Sequence, residues 1–272
     1  MLAVPNIRET TLDDVFVQTL IPNMAPRILA SGAVVRLDVH NIGGIRQFRK
    51  WEIADIAIIV YVIMKGQIIA RKIGLLQAKR LFPKNGDVTG SDPIGFSYGL
   101  NAHLHPEESP TSMLLARAFS FDMDCSYSSL KSESNQIVAM KEFEAESGQV
   151  VFYLLYNPPS VPTTVAYPVG SQPSRRVKPT LGCRVVSSAT VNDLLKSKKP
   201  GQSLSLAEVD PKLRPRNESR LEYWVADLLL RCRVGRQFKE HDEESILPLV
   251  ERRSGPIGAS IAVNIELPDI KD

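Results

Sequence analysis

The chain reads as an α/β protein, with a mixed central sheet flanked by helices and a C-terminal α+β extension. Three observations predict this. Two adjacent runs, 53–63 and 67–76, are dominated by Ile, Val, Leu and Ala, the composition of strands. The run 150–156 is apolar at every position, as in a strand covered on both faces. Between and after these runs, apolar residues recur at helical spacing around Ile137, Met140 and Phe143 and again around Leu221, Trp224, Val225, Leu228 and Leu229.

Taken in order, the sequence predicts a first helix over about 11–30. Glu9 opens it, and Thr11 with Asp14 fits a capping box. A strand near 33–40 follows, then a turn at Gly43-Gly44 and the hairpin of the two apolar runs, closed by Lys65-Gly66. Residues 83–110, with Pro83-Lys84-Asn85-Gly86-Asp87 among them, are loop-like. A short helix over 112–120 and a longer one over 134–146 lead into the strand 150–156, which Asn157-Pro158-Pro159 ends. Five prolines between 158 and 173 then mark a change of organisation. We therefore divide the chain into a core, 1–165, and a basic linker with a C-terminal helix and strand, 166–272, packed on the core as one unit or standing as a second lobe. In the second part Asn217 caps a helix over 218–232. The final strand alternates, with Ile257, Ala259, Ile261, Val263, Ile265 and Leu267 on one face and Ser260, Asn264 and Glu266 on the other.

Composition excludes several classes. A chain of 272 residues with 43% hydrophobic content can bury a full core. Lys65 and Arg71-Lys72 interrupt its longest apolar stretch, so no membrane span is expected. The first residues lack the design of a signal peptide. Cys125, Cys183 and Cys232 form neither a zinc pattern nor a disulfide framework, which fits a reducing cytoplasm. His103 and His105 lie in a polar loop, and His40 and His241 are isolated. No glycine-rich phosphate loop, nucleophile elbow or dinucleotide fingerprint occurs.

The hairpin carries the chemistry. A turn centred on Gly66 sets Asp55 opposite Gln77 and Ile53 opposite Lys79, while alternation points Gln77 and Lys79 to one face and Ala78 to the other. A carboxylate, an amide oxygen and an ammonium thus converge at the open end of the hairpin. That set suits phosphodiester hydrolysis with a hard cation, Mg2+ or Mn2+. Asp55 is the principal ligand, Gln77 and the Ala78 carbonyl are further ligands, and Lys79 stabilises developing charge.

These residues, Asp55 followed by Gln77-Ala78-Lys79, resemble the PD-(D/E)XK, or restriction-endonuclease-like, superfamily in its bacterial Gln-Xaa-Lys variant. The resemblance covers about the first 165 residues. It implies a restriction-endonuclease-like core and a Mg2+-dependent nuclease acting on DNA, in anti-phage or restriction defence. It also implies that Glu9 on the first helix is a site acid, and that the protein self-associates or joins a larger defence complex. Glu52, three residues before Asp55, and Gln136 are similar to positions in the same proteins. Two departures stand out, Ala54 in place of the usual Pro and Gln77 in place of the usual second acid. The loss of that acid weakens attraction for a cation, so a nuclease-like subunit that binds nucleic acid or a partner without catalysis is the alternative.

Two basic features complete the reading. From 175 to 216 ten Lys or Arg stand against three acids, in a chain whose formal net charge is only +3. Arg175, Arg176 and Lys178 at its start either neutralise nucleic-acid phosphates or belong to a solvated connector. Arg252-Arg253, before Ser254-Gly255-Pro256, either grip phosphate or sit exposed on a tight turn.

Overall fold

The structure, a computed structural model, describes residues 7–42, 48–84, 118–166, 181–213, 219–230, 233–238, 249 and 255–268. Lys65 and Gly66 both take positive φ, 52° and 74°, and so form the tight turn whose twist suits a hairpin. That turn joins β3 (Ala54–Met64) to β4 (Gln67–Arg80), paired antiparallel with Ile56 against Leu76 and Val60 against Lys72. This is the register expected from a turn centred on Gly66. A bulge next to the turn, between Val62 and Ile63, leaves it intact at the other end. The hairpin tip is exposed, and burial deepens toward the Asp55–Gln77 end.

The remaining elements build a mixed sheet around this pair. β1 (Arg27–Ile28) is an edge strand on β2 (Val34–Asn41). β7 (Val151–Tyr156) runs parallel to β4, and β9 (Arg184–Ser187) lies antiparallel outside it. β12 (Ile257–Leu267) is inserted between β2 and β3, antiparallel to the first and parallel to the second. The order is thus β1-β2-β12-β3-β4-β7-β9, with β11 (Arg236–Gln237) also pairing β4. Two ribbons lie off the sheet, β5 (Ala118–Phe121) with β8 (Thr163–Ala166) and β6 (Ser126–Lys131) with β10 (Ser203–Ser205).

Helices cover both faces. On one, α1 (Glu9–Leu20) and a segment formed by α5 (Leu221–Tyr223) and a π-helical stretch, Trp224–Leu229, pack on Ile56, Ile58, Leu76, Phe152, Leu154 and Ile261. On the other, α2 (Asn135–Ser147), α3 (Ser188–Leu195) and α4 (Leu206–Leu213) cover Ala57, Ile59, Leu75, Tyr153 and Leu155. Every residue of β7 is buried, in keeping with its unbroken apolar run. Residues on both sides of position 165 share the sheet and both core layers. No helix among the described residues is long and apolar enough to cross a membrane.

Four local expectations are corrected. The first helix ends at Leu20 rather than near 30, passes into a 3-10 turn at Ile21–Asn23 and gives way to β1, because Pro22 cannot continue the ladder of α-helical hydrogen bonds. Its N-cap is Arg8, without a side-chain cap, so Thr11 and Asp14 lie inside the helix. Residues 118–121 are strand β5 rather than the end of a helix. The late helix starts at Leu221 and turns π-helical at Trp224, a widening that seats the indole over Gly74. Trp224 is 2% exposed and meets Phe152 edge-on with centroids 5.1 Å apart, so it is a core residue.

Candidate active site

At its open end, the hairpin brings Asp55 and Gln77 together. The Asp55 Oδ2 accepts from the Gln77 side-chain amide and, at 2.6 Å, from the backbone N–H of Ala78. Ala78 thus meets Asp55 through its backbone amide. Gln77 is 2% exposed, and its Oε1 has no hydrogen-bond partner among the described residues.

Lys79 is 3% exposed at its side chain, and its Nζ lies 3.0 Å from Glu9 Oε1. The other oxygen of Glu9 accepts from the backbone N–H of Arg80 at 3.0 Å and from Ser129 Oγ at 3.1 Å. The acid that opens α1 therefore clamps helix, central strand and β6 together at the Lys79 position. Arg80 adds a side-chain hydrogen bond to the carbonyl of Ile7 and lies over the Phe82 ring, 4.3 Å from its centroid.

One turn further along α1, Asp13 enters the same neighbourhood, and its Oδ1 accepts from Tyr156 OH at 2.8 Å. Burial, then the Asp55 charge, pushes the Asp13 carboxyl up to about 8, with Tyr156 and Lys79 acting against the rise. Asp55 is likewise raised to about 7, by burial first, with Lys79 opposing and Glu52 and Glu9 adding to it. Burial also raises Tyr156, which keeps its hydroxyl as a donor.

A pocket of about 500 Å3 opens beside Asp55. It is lined by Asp13, Asp14, Glu52 and Asp55, with Thr10, Gln18, Asn41 and Gly258 also contributing. Among the described residues, no lysine or arginine lines it. Glu52 enters from the segment before β3, where its carbonyl accepts from Gln136 Nε2 at 3.3 Å, so Gln136 supports the site through the backbone.

The structure thus brings Glu9, Asp55, Gln77, Ala78 and Lys79 into one constellation. Arg175, Arg176, Lys178, Arg252 and Arg253 lie outside the described residues. Sequence reasoning missed Asp13, Tyr156 and Gly258 as members of this neighbourhood. For Asp13 a signal existed, since it stands four residues after Glu9 and so shares its helix face. Tyr156 is the only hydroxyl-bearing end of an otherwise apolar run after Tyr153, and nothing in the sequence marks Gly258.

The oxygen donors fit a hard divalent cation in kind: a carboxylate, an amide oxygen left without a partner among the described residues, and further acids whose charges raise the pKa of Asp55. Among the described residues no three His, Cys, Asp or Glu side chains are grouped as a metal site. A cation here relies on the Gln77 oxygen and on water to complete its shell. No protein-family model matches the chain, and neither a curated protein nor a solved structure gives a significant match.

Proposed function

We propose that this chain is a metal-dependent nuclease that hydrolyses phosphodiester bonds of DNA. On this reading it is a restriction-endonuclease-like enzyme of the Gln-Xaa-Lys kind, used in bacterial defence and working with Mg2+ or Mn2+. The observation that carries the reading is the meeting of Asp55 and Gln77 at one end of an antiparallel hairpin, with the buried Lys79 fixed beside them by Glu9 of α1. The parallel β4–β7 pair, joined through α2, supports the fold assignment.

Asp55 and Gln77 Oε1 would hold the cation, which when bound supplies positive charge to a scissile phosphate. The Ala78 N–H fixes the rotamer of Asp55. Glu9 holds the Lys79 ammonium where it can stabilise negative charge on an attacking oxygen. The described residues that line the pocket are acidic, polar or apolar, so there phosphate needs its charge compensated, as by a bound cation.

A second reading is a nuclease-like subunit that binds nucleic acid or a partner without catalysis. It is favoured by Gln77, whose amide donates to Asp55 where an acid would instead add charge for a cation. Incubating the purified protein, Asp55→Ala and Lys79→Met with supercoiled plasmid, linear DNA and RNA, in Mg2+, Mn2+ or chelator, separates the two. Cleavage by the parent alone and only with metal establishes the nuclease. No cleavage, with salt-sensitive DNA binding retained in all three proteins, establishes the binding subunit.

A further inference from the structure

We infer that Glu52 is an additional ligand for a divalent cation at the Asp55 site and that Gly258 is the position that makes room for its carboxylate. The inference rests on the metal-site half of the reading above and not on nuclease activity.

The argument starts from strand pairing. β12 runs parallel to β3 with Ile257 beside Ala54 and Ala259 beside Ile56, which sets Gly258 alongside Asp55. A Cβ built on Gly258 would lie 2.4 Å from Glu52 Oε1 and 3.0 Å from the Asp55 carbonyl. The first of these distances is one that real side chains do not reach. The Glu52 carboxylate thus occupies the volume that any other residue at 258 would fill. The closest atom is the far end of a flexible side chain, so substitution is met by movement of the Glu52 carboxylate away from this position.

The backbone that delivers Glu52 is fixed independently. The N–H groups of Ile53 and Ala54 both donate to the Pro256 carbonyl, at 2.8 and 3.1 Å, and Gln136 holds the Glu52 carbonyl. The C-terminal strand and α2 therefore position one carboxylate at the wall of the pocket that Asp55 also lines. Next to Asp55, Gln77 Oε1 is buried and has no hydrogen-bond partner among the described residues, the state expected of an oxygen reserved for a cation. Two carboxylates and one amide oxygen make three oxygen donors of a hard-cation shell, which water completes.

The test is direct binding of Mn2+ to the full chain, followed by electron paramagnetic resonance of the free ion. Parent, Asp55→Asn, Glu52→Gln and Gly258→Ala are compared, each also unfolded thermally and assayed for plasmid cleavage. The parent is expected to bind Mn2+ in an Asp55-dependent way, and Glu52→Gln and Gly258→Ala are each expected to weaken binding by about tenfold or more. Combining the two changes should add little, because the second removes what the first displaces. Parent-like affinity in Glu52→Gln overturns the inference, whatever happens to its melting temperature, and so does a parent that binds no Mn2+. Metal binding through both acids without cleavage would leave the inference standing and defeat the nuclease reading. Cleavage by the parent, with unchanged metal affinity in Glu52→Gln, would do the reverse.

Discussion

Replacing Glu9 with Ala strands the Lys79 ammonium. In the folded protein that ammonium is 3% exposed and has a Glu9 oxygen 3.0 Å away. Breaking a buried ion pair by removing one partner costs about 3–5 kcal/mol, because the remaining charge is left in a poor solvent. The Arg80 N–H also loses its acceptor, and an unsatisfied buried amide costs about 1–3 kcal/mol. The Ser129 bond is exposed and adds little. Glu9 is 22% exposed, so water can enter the space it leaves, and the low end of the combined range, about 4 kcal/mol, is the expected loss. Lys79→Met should behave differently. It removes the charge while keeping most of the volume, and Glu9 retains two donors and some solvent, so the cost should stay below about 1.5 kcal/mol. The double variant should recover much of the loss seen in Glu9→Ala. Urea unfolding of the four proteins measures all three terms as one cycle. Equal destabilisation by the two single changes, with a double variant at their sum, would refute the claim that a stranded charge is what costs.

Other expectations follow from the same contacts. Gly74→Ala places a Cβ 2.6 Å from Trp224 Cη2 and 3.1 Å from Leu229 Cδ1, so overpacking should cost about 1–3 kcal/mol in urea unfolding; a loss under about 0.5 kcal/mol would mean the π-helical segment is free to move. Asp13 takes up a proton on folding, since its carboxyl rises from 3.8 to about 8. The parent should therefore be as stable relative to Asp13→Asn at pH 4 as the contacts allow, and then lose ground toward pH 8 at up to about 1.4 kcal/mol per pH unit. Melting curves of the two that run parallel across this range would remove the basis for that shift. The buried hydroxyl of Tyr127 donates to Asn157 Oδ1 at 2.6 Å. Tyr127→Phe should cost about 1 kcal/mol and Asn157→Ala about 2–3 kcal/mol, because only the second leaves a buried donor unpaired; the reverse order in calorimetry would contradict this.

The hairpin was legible because its determinants are local. Lys65-Gly66 fixes the turn, and apolar runs of matched length fix the register, so the meeting of Asp55 with Gln77 follows from counting. The role of Glu9 was half legible: its place at the start of α1 is a sequence fact, but its bond to Lys79 depends on how the helix crosses β4. What the sequence withheld is non-local. Alternation in 257–267 announces a strand, yet nothing in those residues says that it lies between β2 and β3. Gly258 looks like any small residue in a strand until Glu52 is seen above it. Thr11 and Asp14 misled for a related reason, since a capping pattern competes with the tertiary contacts that start the helix earlier, at Glu9.

The place of β12 has a consequence during synthesis. β2 and β3 each pair with it along most of its length, so until residue 267 has left the ribosome both present open hydrogen-bonding edges. Val35 and Ile265, which face one another in the finished sheet, are separated by most of the chain, a long loop to close before either strand is satisfied. A nascent or prematurely terminated product therefore lacks both the partner of these strands and the wall at Gly258 beside Asp55. The pocket exists only in chains that have been completed through this strand, which ties any activity it supports to full-length translation of the segment.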